Sequence, residues 1–505
     1  MRPTGIYLRF EGGVDPEINA RVHAVARALT AEAPPGVLDV VPSYASLYVE
    51  FDRDVLPERR LRAWLDAAPD DAQAPPGRTV HLPVRYDGPD LAEVAAELTL
   101  PVEEVVRRHA GVRYRVYALG FTPGFPFLGE VDAALRRPRR AQPRARVPAH
   151  AVALAGAQTG VYPLPSPGGW RLLGTALQAV YDPRREPPGL LEPGDTVVFE
   201  PADGPDPPEP EVHELLPVEP EHPRLAVDEA GLLDLVVDRG RFFGGRFGLA
   251  RSGPLDAPAA ALANRLVGNP LDAPLLEMNV RGPVLRAVAP AVVAFTGAGV
   301  APERNGERFP AATTVALEPG DVLRFPPARR GVRGYLALAG GIASDRFLGS
   351  ASVDLRGRIG RPLHAGDVLG AATPRSARAG FSFRPYAFEP GVPGPVRVRI
   401  HIGPQPDPDA FAALTAEPFR VRFGDRMGLQ LDGPEVPGGE LLSEPTPLGG
   451  VQIPPGGRPL VLLHDRGSIG GYVKPAIVAP GDLPKLAQLR AGDAVRFVPA
   501  GRTPR

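Results

Sequence analysis

The chain has 505 residues, 43% of them apolar, and its 57 basic and 58 acidic side chains leave a formal charge of −1. That balance offers no electrostatic footprint for nucleic acid or another polyanion, and the length suits about three or four domains of the usual ~100–200 residues. The absence of cysteine excludes disulfides, zinc-thiolate and iron–sulfur sites and a cysteine nucleophile.

In chain order, Ile6 to Phe10 alternates as a strand and Pro16 to Ala31 has helical spacing. Val37 to Val41 and Ser46 to Phe51 read as strands and Leu56 to Ala67 as a helix. This predicts a small α/β domain over residues 1–78. A Pro/Ala/Asp-rich stretch (DDAQAPPGR) leads into a strand at Val80–Val84 and a helical stretch from Asp90 to Ala110. Short strands between Gly/Pro turns follow to about residue 200, so 79–202 form a β-rich unit. Residues 203–223, rich in Pro and acid, predict an inter-domain linker. From 224 to 505 a helix at Ala257–Leu266 precedes more short strands, and a Pro/Gly-rich gap near 376–395 divides this half into two lobes.

One phrase recurs: Leu191-Glu-Pro-Gly194-Asp195, Leu317-Glu-Pro-Gly320-Asp321, Leu363-His-Ala-Gly366-Asp367 and Leu489-Arg-Ala-Gly492-Asp493, each followed by strand-forming residues. A Gly-Asp pair suits a tight turn, and the repetition predicts similar terminal hairpins in several β-rich units. No stretch is apolar enough to span a bilayer, and the segment MRPTGIYLRFEGG lacks a basic-then-apolar design. The expectation is a cytoplasmic protein without membrane contact.

Two loop blocks concentrate chemistry. The first is Gly120-Phe121-Thr122-Pro123-Gly124-Phe125 with the run from Gln158 to Trp170 (QTGVYPLPSPGGW). So much Gly and Pro beside polar and aromatic groups is neither helix nor central strand, and reads as backbone shaped around a ligand. Thr122, Arg144, Gln158, Thr159, Tyr162 and Ser166 are candidate lining groups, over a floor of Gly156, Gly168 and Gly169, with Phe125 and Trp170 as walls. The second block, residues 443–475, delivers His464, Asp465 and Arg466 to a Gly-rich turn and places Gln452 before Pro-Pro-Gly. It could polarise a carbonyl or hold a phosphate. A barrel corner built on the glycines, or a solvated hairpin, are the structural alternatives.

The chain has only two lysines, Lys474 and Lys485. Arginine can supply surface charge but not a compact ammonium with a movable pKa, so Lys474, in Gly470-Gly471-Tyr472-Val473-Lys474, is the candidate for an oxyanion or phosphate contact. The nine histidines form no HxH, HxxxH or HExxH pattern, and no metal site is expected. There is no Walker loop, no GxSxG elbow, and no Met-Lys-Met hairpin for biotin attachment.

The segments YRVYALGFTPGFPFLGEV and AGAQTGVYPLPSPGGWRLLG resemble the B subunit of 5-oxoprolinase, the allophanate hydrolase subunit 1 or Kip-type family. GRFGLARSGPLDAPAAALANRLVGNP, LGSASVDLRGRIG and ELLSEPTPLGGVQIPPGGRPLVLLHDRGSIGGYVKPAIV resemble its C subunit, the biotin-dependent carboxyltransferase domain family. The resemblance covers nearly the whole chain in the order B then C. It implies a mainly β protein with cyclophilin-like barrels in both halves behind an α/β N-terminal domain. It also implies ATP and Mg²⁺, a hetero- or homo-oligomer in which the LamB/YcsF-type A subunit is the partner, and opening of 5-oxo-L-proline to L-glutamate. Carboxyl transfer from carboxybiotin, not covalently bound here, to a urea-like amide is the alternative, and a kinase-inhibitor-type binding protein a second. The site residues implied are Gln158, Thr159, Tyr162 and Ser166 in the first half and Gln452, Asp465, Arg466, Tyr472 and Lys474 in the second. The sequence departs from the family pattern at Gly467-Ser468-Ile469, where Gln-Thr-Thr is common, at Phe127, and in VVDRGRFFGGRFG.

Overall fold

A computed structural model describes residues 3–67, 77–375, 377–383 and 394–501. The predicted DDAQAPPGR linker and the gap near 376–395 lie largely outside them. The N-terminal unit is a three-stranded antiparallel sheet of Pro3–Arg9, Val37–Pro42 and Ser46–Asp52, with Ser46–Asp52 in the centre. The helix Pro16–Ala31 starts where Asp15 accepts the N–H groups of Glu17 and Ile18. The second helix, Glu58–Asp66, is shorter than its apolar spacing predicts because it begins only after Pro57.

Helical spacing from Asp90 to Ala110 resolves into two helices, Leu91–Leu98 and Val102–Ala110. Thr99 turns left-handed at φ 55°, and Pro101 can join only a new first turn. These helices precede most of a closed seven-stranded barrel formed, in sequence order, by Thr79–Arg85, Arg113–Leu119, Pro126–Gly129, Ala151–Ala155, Gln158–Val161, Arg171–Ala176 and Thr196–Pro201. Around the ring the strands run first, seventh, second, third, fifth, fourth, sixth, and only the first and seventh pair in parallel.

A second ring repeats this topology with Val396–Ile402, Phe419–Gly424, Gly428–Asp432, Gly450–Ile453, Leu460–Leu462, Ile469–Val478 and Ala494–Pro499. The pairing of Ile400–Ile402 with Ala476–Val478 closes it. Each ring also carries a ribbon at the same place. In the first barrel Arg144–Val147 pairs with Ser166–Gly168; in the second Glu440–Pro445 pairs with the start of the sixth strand, Glu440 opposite Tyr472. The expectation of a barrel in each half holds.

Between the barrels, residues 223–370 form a sandwich of a six-stranded and a five-stranded sheet, whose facing side chains, Leu225, Leu285, Leu323, Phe295 and Leu336 among them, share one core. The helix Ala257–Leu266 covers the outer face of the five-stranded sheet. The acidic stretch 203–223 is tied down: Arg85 donates to the Gly204 carbonyl, His213 and Gly360 bond through their backbones, and Leu215 is buried.

The recurring phrase is one turn built four times. Gly194, Gly320, Gly366 and Gly492 take φ of 97°, 94°, 95° and 91°, the conformation a type II turn needs at its third residue. The next aspartate accepts the N–H three residues back each time: Asp195 from Glu192, Asp321 from Glu318, Asp367 from His364 and Asp493 from Arg490, at 3.0, 2.8, 2.7 and 2.8 Å. These turns launch the last strand of each barrel and two strands of the sandwich. A Cβ added at Gly492 meets nothing within 4 Å, so Gly492→Ala should cost only the left-handed backbone penalty of about 1–2 kcal/mol. Gly492→Asn should cost less, and urea unfolding of the two variants measures the difference.

Candidate functional site

A cavity of about 540 Å³ opens where equivalent parts of the two barrels face each other. The first barrel contributes the loop between its second and third strands and the ribbon after Tyr162. The second contributes the matching loop near Asp425 and the ribbon from Glu440 to Tyr472, and the sandwich adds Arg356. The two blocks that stood out in the sequence thus meet. At the joint Gly120 and Gly467 permit close approach: a Cβ on Gly120 would lie 2.7 Å from the Ile469 side chain, and one on Gly467 would lie 2.9 Å from the Phe121 carbonyl.

The first-barrel wall is aromatic. Phe125 is the hub, edge-on to Phe127, Tyr162, Trp170 and Phe121 with ring centroids 5.1, 5.2, 5.4 and 5.6 Å away. The loop that presents it is closed by its own backbone, Gly120 N–H to the Phe125 carbonyl and Phe125 N–H to the Thr122 carbonyl. The second-barrel wall carries most of the polar groups, Gln452, Ser443, Thr446, Arg466, Glu440 and Asp425, beside the apolar Phe423, Met427, Leu460 and Leu462. Arg466 donates through Nε to the Thr446 carbonyl at 2.9 Å and lies 3.7 Å from Glu50 of the N-terminal sheet. Arg139 approaches Glu440 at 3.8 Å across the gap between the barrels.

Of the residues singled out from the sequence, Phe125, Tyr162, Gly168, Gly169, Trp170, Gln452, Arg466, Gly470, Gly471 and Tyr472 line this cavity. The others lie elsewhere. Arg144 makes a two-pronged pair with Asp90, which also accepts the Leu172 N–H. Gln158 donates to the Tyr44 hydroxyl. Thr159 sits inside the first barrel, donating to the Ala153 carbonyl and accepting from His109 Nε2 at 2.8 Å, while Tyr86 donates to His109 Nδ1. Burial holds that imidazole neutral, its pKa lowered to about 3. The hydroxyls of Thr122 and Ser166 are buried and have no hydrogen-bond partner among the described residues. Gly156 occupies a turn against Arg137.

Asp465 is fully engaged: both its oxygens accept from Arg426, Nε at 2.7 Å and Nη2 at 3.2 Å, leaving it in a structural pair rather than poised as a base. His464 is buried, and that burial, with Arg251, Arg426 and Arg466 nearby, pushes its pKa well below the ordinary value. Lys474 does not reach the cavity. Its ammonium is fully buried, 3.2 Å from Glu444 Oε1, and donates to the Tyr472 carbonyl at 3.1 Å, so it braces the ribbon from behind. Burial lowers its pKa and Glu444 opposes that shift.

A buried ionic junction lies behind the second-barrel wall. Arg426 also pairs with Glu277 of the sandwich, which accepts from the Tyr335 hydroxyl and the Leu255 N–H; Arg251 pairs with Glu50 at 3.3 Å. Sequence reading missed Glu50, Glu277, Arg426 and Arg356 because isolated charges in different units carry no spacing that links them. Arg356 lay in view within the segment LGSASVDLRGRIG, with nothing to show that it reaches the barrels.

The sequence model of the carboxyltransferase domain, subdomain A and B, matches residues 247–499, and that of subdomain C and D matches residues 2–191. The chain therefore belongs to the carboxyltransferase domain family. Its first part is 40% identical over 207 residues to the B subunit of 5-oxoprolinase from Escherichia coli O157:H7, covering 39% of this chain and 92% of that one. Its second part is 32% identical over 288 residues to the C subunit of 5-oxoprolinase from Escherichia coli K12, 54% of this chain and 90% of that one. It thus unites in one polypeptide regions similar to both. A crystal structure of TTHA0988 superposes with a TM-score of 0.94 at 58% identity, over 98% of this chain and 100% of the other. The urea amidolyase of Saccharomyces cerevisiae is 31% identical over 281 residues, 50% of this chain but 15% of that protein.

Lys474→Met should destabilise the chain by about 3 kcal/mol, because it leaves Glu444 buried without its main counter-charge, and adding Glu444→Gln should restore much of the loss; chemical denaturation of both variants is the check. A pH effect comes from Asp39, beside the junction. Burial, then Glu50, raises its pKa from 3.8 to about 7. The folded state then holds a proton that the unfolded state releases between about pH 4 and pH 7, so this group's contribution to stability falls as pH rises through that window. Asp39→Asn should gain stability relative to the parent from about pH 4 to pH 7, read from paired melting curves.

Proposed function

We propose that this chain is a component of an ATP-dependent 5-oxoprolinase that opens the lactam of 5-oxo-L-proline to L-glutamate together with a LamB/YcsF-type A subunit. The observation carrying this reading is that regions similar to the B and C subunits of 5-oxoprolinase lie in one chain and close a single cavity at their joint. A lactam carbonyl is a poor electrophile. Transfer of the γ-phosphoryl of ATP to its oxygen makes the ring carbon attackable; one water adds as the C–N bond breaks, and a second releases phosphate from the acyl phosphate.

The cavity suits parts of this task. Its volume fits a small ring or a nucleotide segment, the aromatic wall excludes water from a planar group, and Arg466, Gln452 and the Gly470–Gly471 backbone face developing negative charge from the opposite side. Asp425 and Glu440 are the carboxylates of the cavity lining that would approach a magnesium ion arriving on the phosphates; among the described residues no three acidic or histidine groups form a metal cluster. Similarity to urea amidolyase supports the second reading, carboxyl transfer to a urea-like amide.

The purified chain, with and without its LamB/YcsF-type partner, should release glutamate from 5-oxo-L-proline in the presence of ATP only when the partner is added. No release in either case, with carboxylation of urea from carboxybiotin, would establish the second reading instead.

A further inference from the structure

Among the arginines lining the cavity, Arg356 is held differently. Arg140 pairs with Asp90 and Glu93, Arg139 approaches Glu440, and Arg466 approaches Glu50. Arg356 comes from the sandwich and reaches between the barrels, where Nη2 donates to the Phe121 carbonyl at 2.9 Å and Nη1 to the Asp465 carbonyl at 3.3 Å. Both acceptors are neutral, and among the described residues no carboxylate lies within ion-pair distance of it. Asp425, in the same cavity, accepts the Met427 and Gly428 N–H groups through Oδ1, and the carboxylates of Asp354, Asp465 and Asp425 act on Arg356 only beyond ion-pair distance.

A guanidinium stays charged in proteins and carries five N–H donors, so the two carbonyls use only part of its capacity. The fork that remains matches a planar two-oxygen anion. The carbonyls come from opposite barrels, so an anion held by Arg356 is positioned against the aromatic wall and the polar wall together.

We propose that Arg356 is the specificity-determining anchor of this cavity and binds the carboxylate of its substrate. The site then takes small cyclic amides that bear a carboxylate and discriminates against neutral amides. This rests on the lactam-opening reading above.

The test uses the chain assembled with its LamB/YcsF-type partner and two lactams differing only in the carboxylate, 5-oxo-L-proline and 2-pyrrolidone. The parent complex should favour 5-oxo-L-proline in kcat/KM by roughly 10- to 100-fold, the range for a charge-assisted hydrogen bond. Arg356→Met should abolish most of that preference, chiefly by raising KM for 5-oxo-L-proline far more than for 2-pyrrolidone; Arg356→Lys should keep part of it. A general loss of structure would depress both substrates equally. An unchanged preference in Arg356→Met overturns the anchor while leaving the lactam reading intact. Should Arg356→Met fail to fold by thermal melting, Arg356→Lys with an undiminished preference, or a parent complex that opens both lactams equally, overturns it. A parent complex that releases no glutamate yet carboxylates urea overturns the lactam reading and the anchor with it.

Discussion

Charged side chains buried at one junction decide how the layers of this protein sit against one another. Glu50 comes from the N-terminal sheet, Arg251 and Glu277 from the sandwich, and Arg426, Asp465 and Arg466 from the second barrel. Apolar faces can slide at small cost, but a buried ion left without its partner costs several kcal/mol. Directional pairs such as Arg426 with Asp465 therefore admit few relative placements of the units. The polar wall of the cavity is the outer surface of this junction, since Arg466 belongs to both.

The two barrels are one topology used twice, with the same strand order, the same single parallel pairing and the same ribbon. Their divergence is chemical. At the loop joining second and third strands, one barrel presents Phe121 and Phe125 and the other Asp425 and Met427. Facing each other, they make a cavity with an aromatic cluster on one side and most of the hydrogen-bonding groups on the other, which gives a bound molecule an orientation that neither barrel could impose alone.

Close contact between the halves depends on missing side chains. Gly120 and Gly467 bring the backbones of the two loops together, and Arg356 bonds to a carbonyl on each side of that seam. Lys474 and Glu444 lie one layer back, holding the ribbon that carries Gly470, Gly471 and Tyr472. The chemistry of the wall thus rests on groups that do not touch the cavity.

Local rules written in the chain determined much of this protein. The N-terminal strands and helix, the helix at Ala257–Leu266 and the four Gly-Asp turns were legible because periodicity, capping and left-handed glycine are properties of a few neighbouring residues. The Gly/Pro-rich blocks marked both sides of the cavity for the same reason. Which of their side chains face it was decided only by the tertiary structure. Thr159 turned into its barrel and Lys474 into the ribbon's back, while Arg356 crossed from another unit. Facing direction depends on ring closure and on tertiary contacts such as that of Arg356 with Phe121, 235 positions away, and no local pattern in the sequence encodes either.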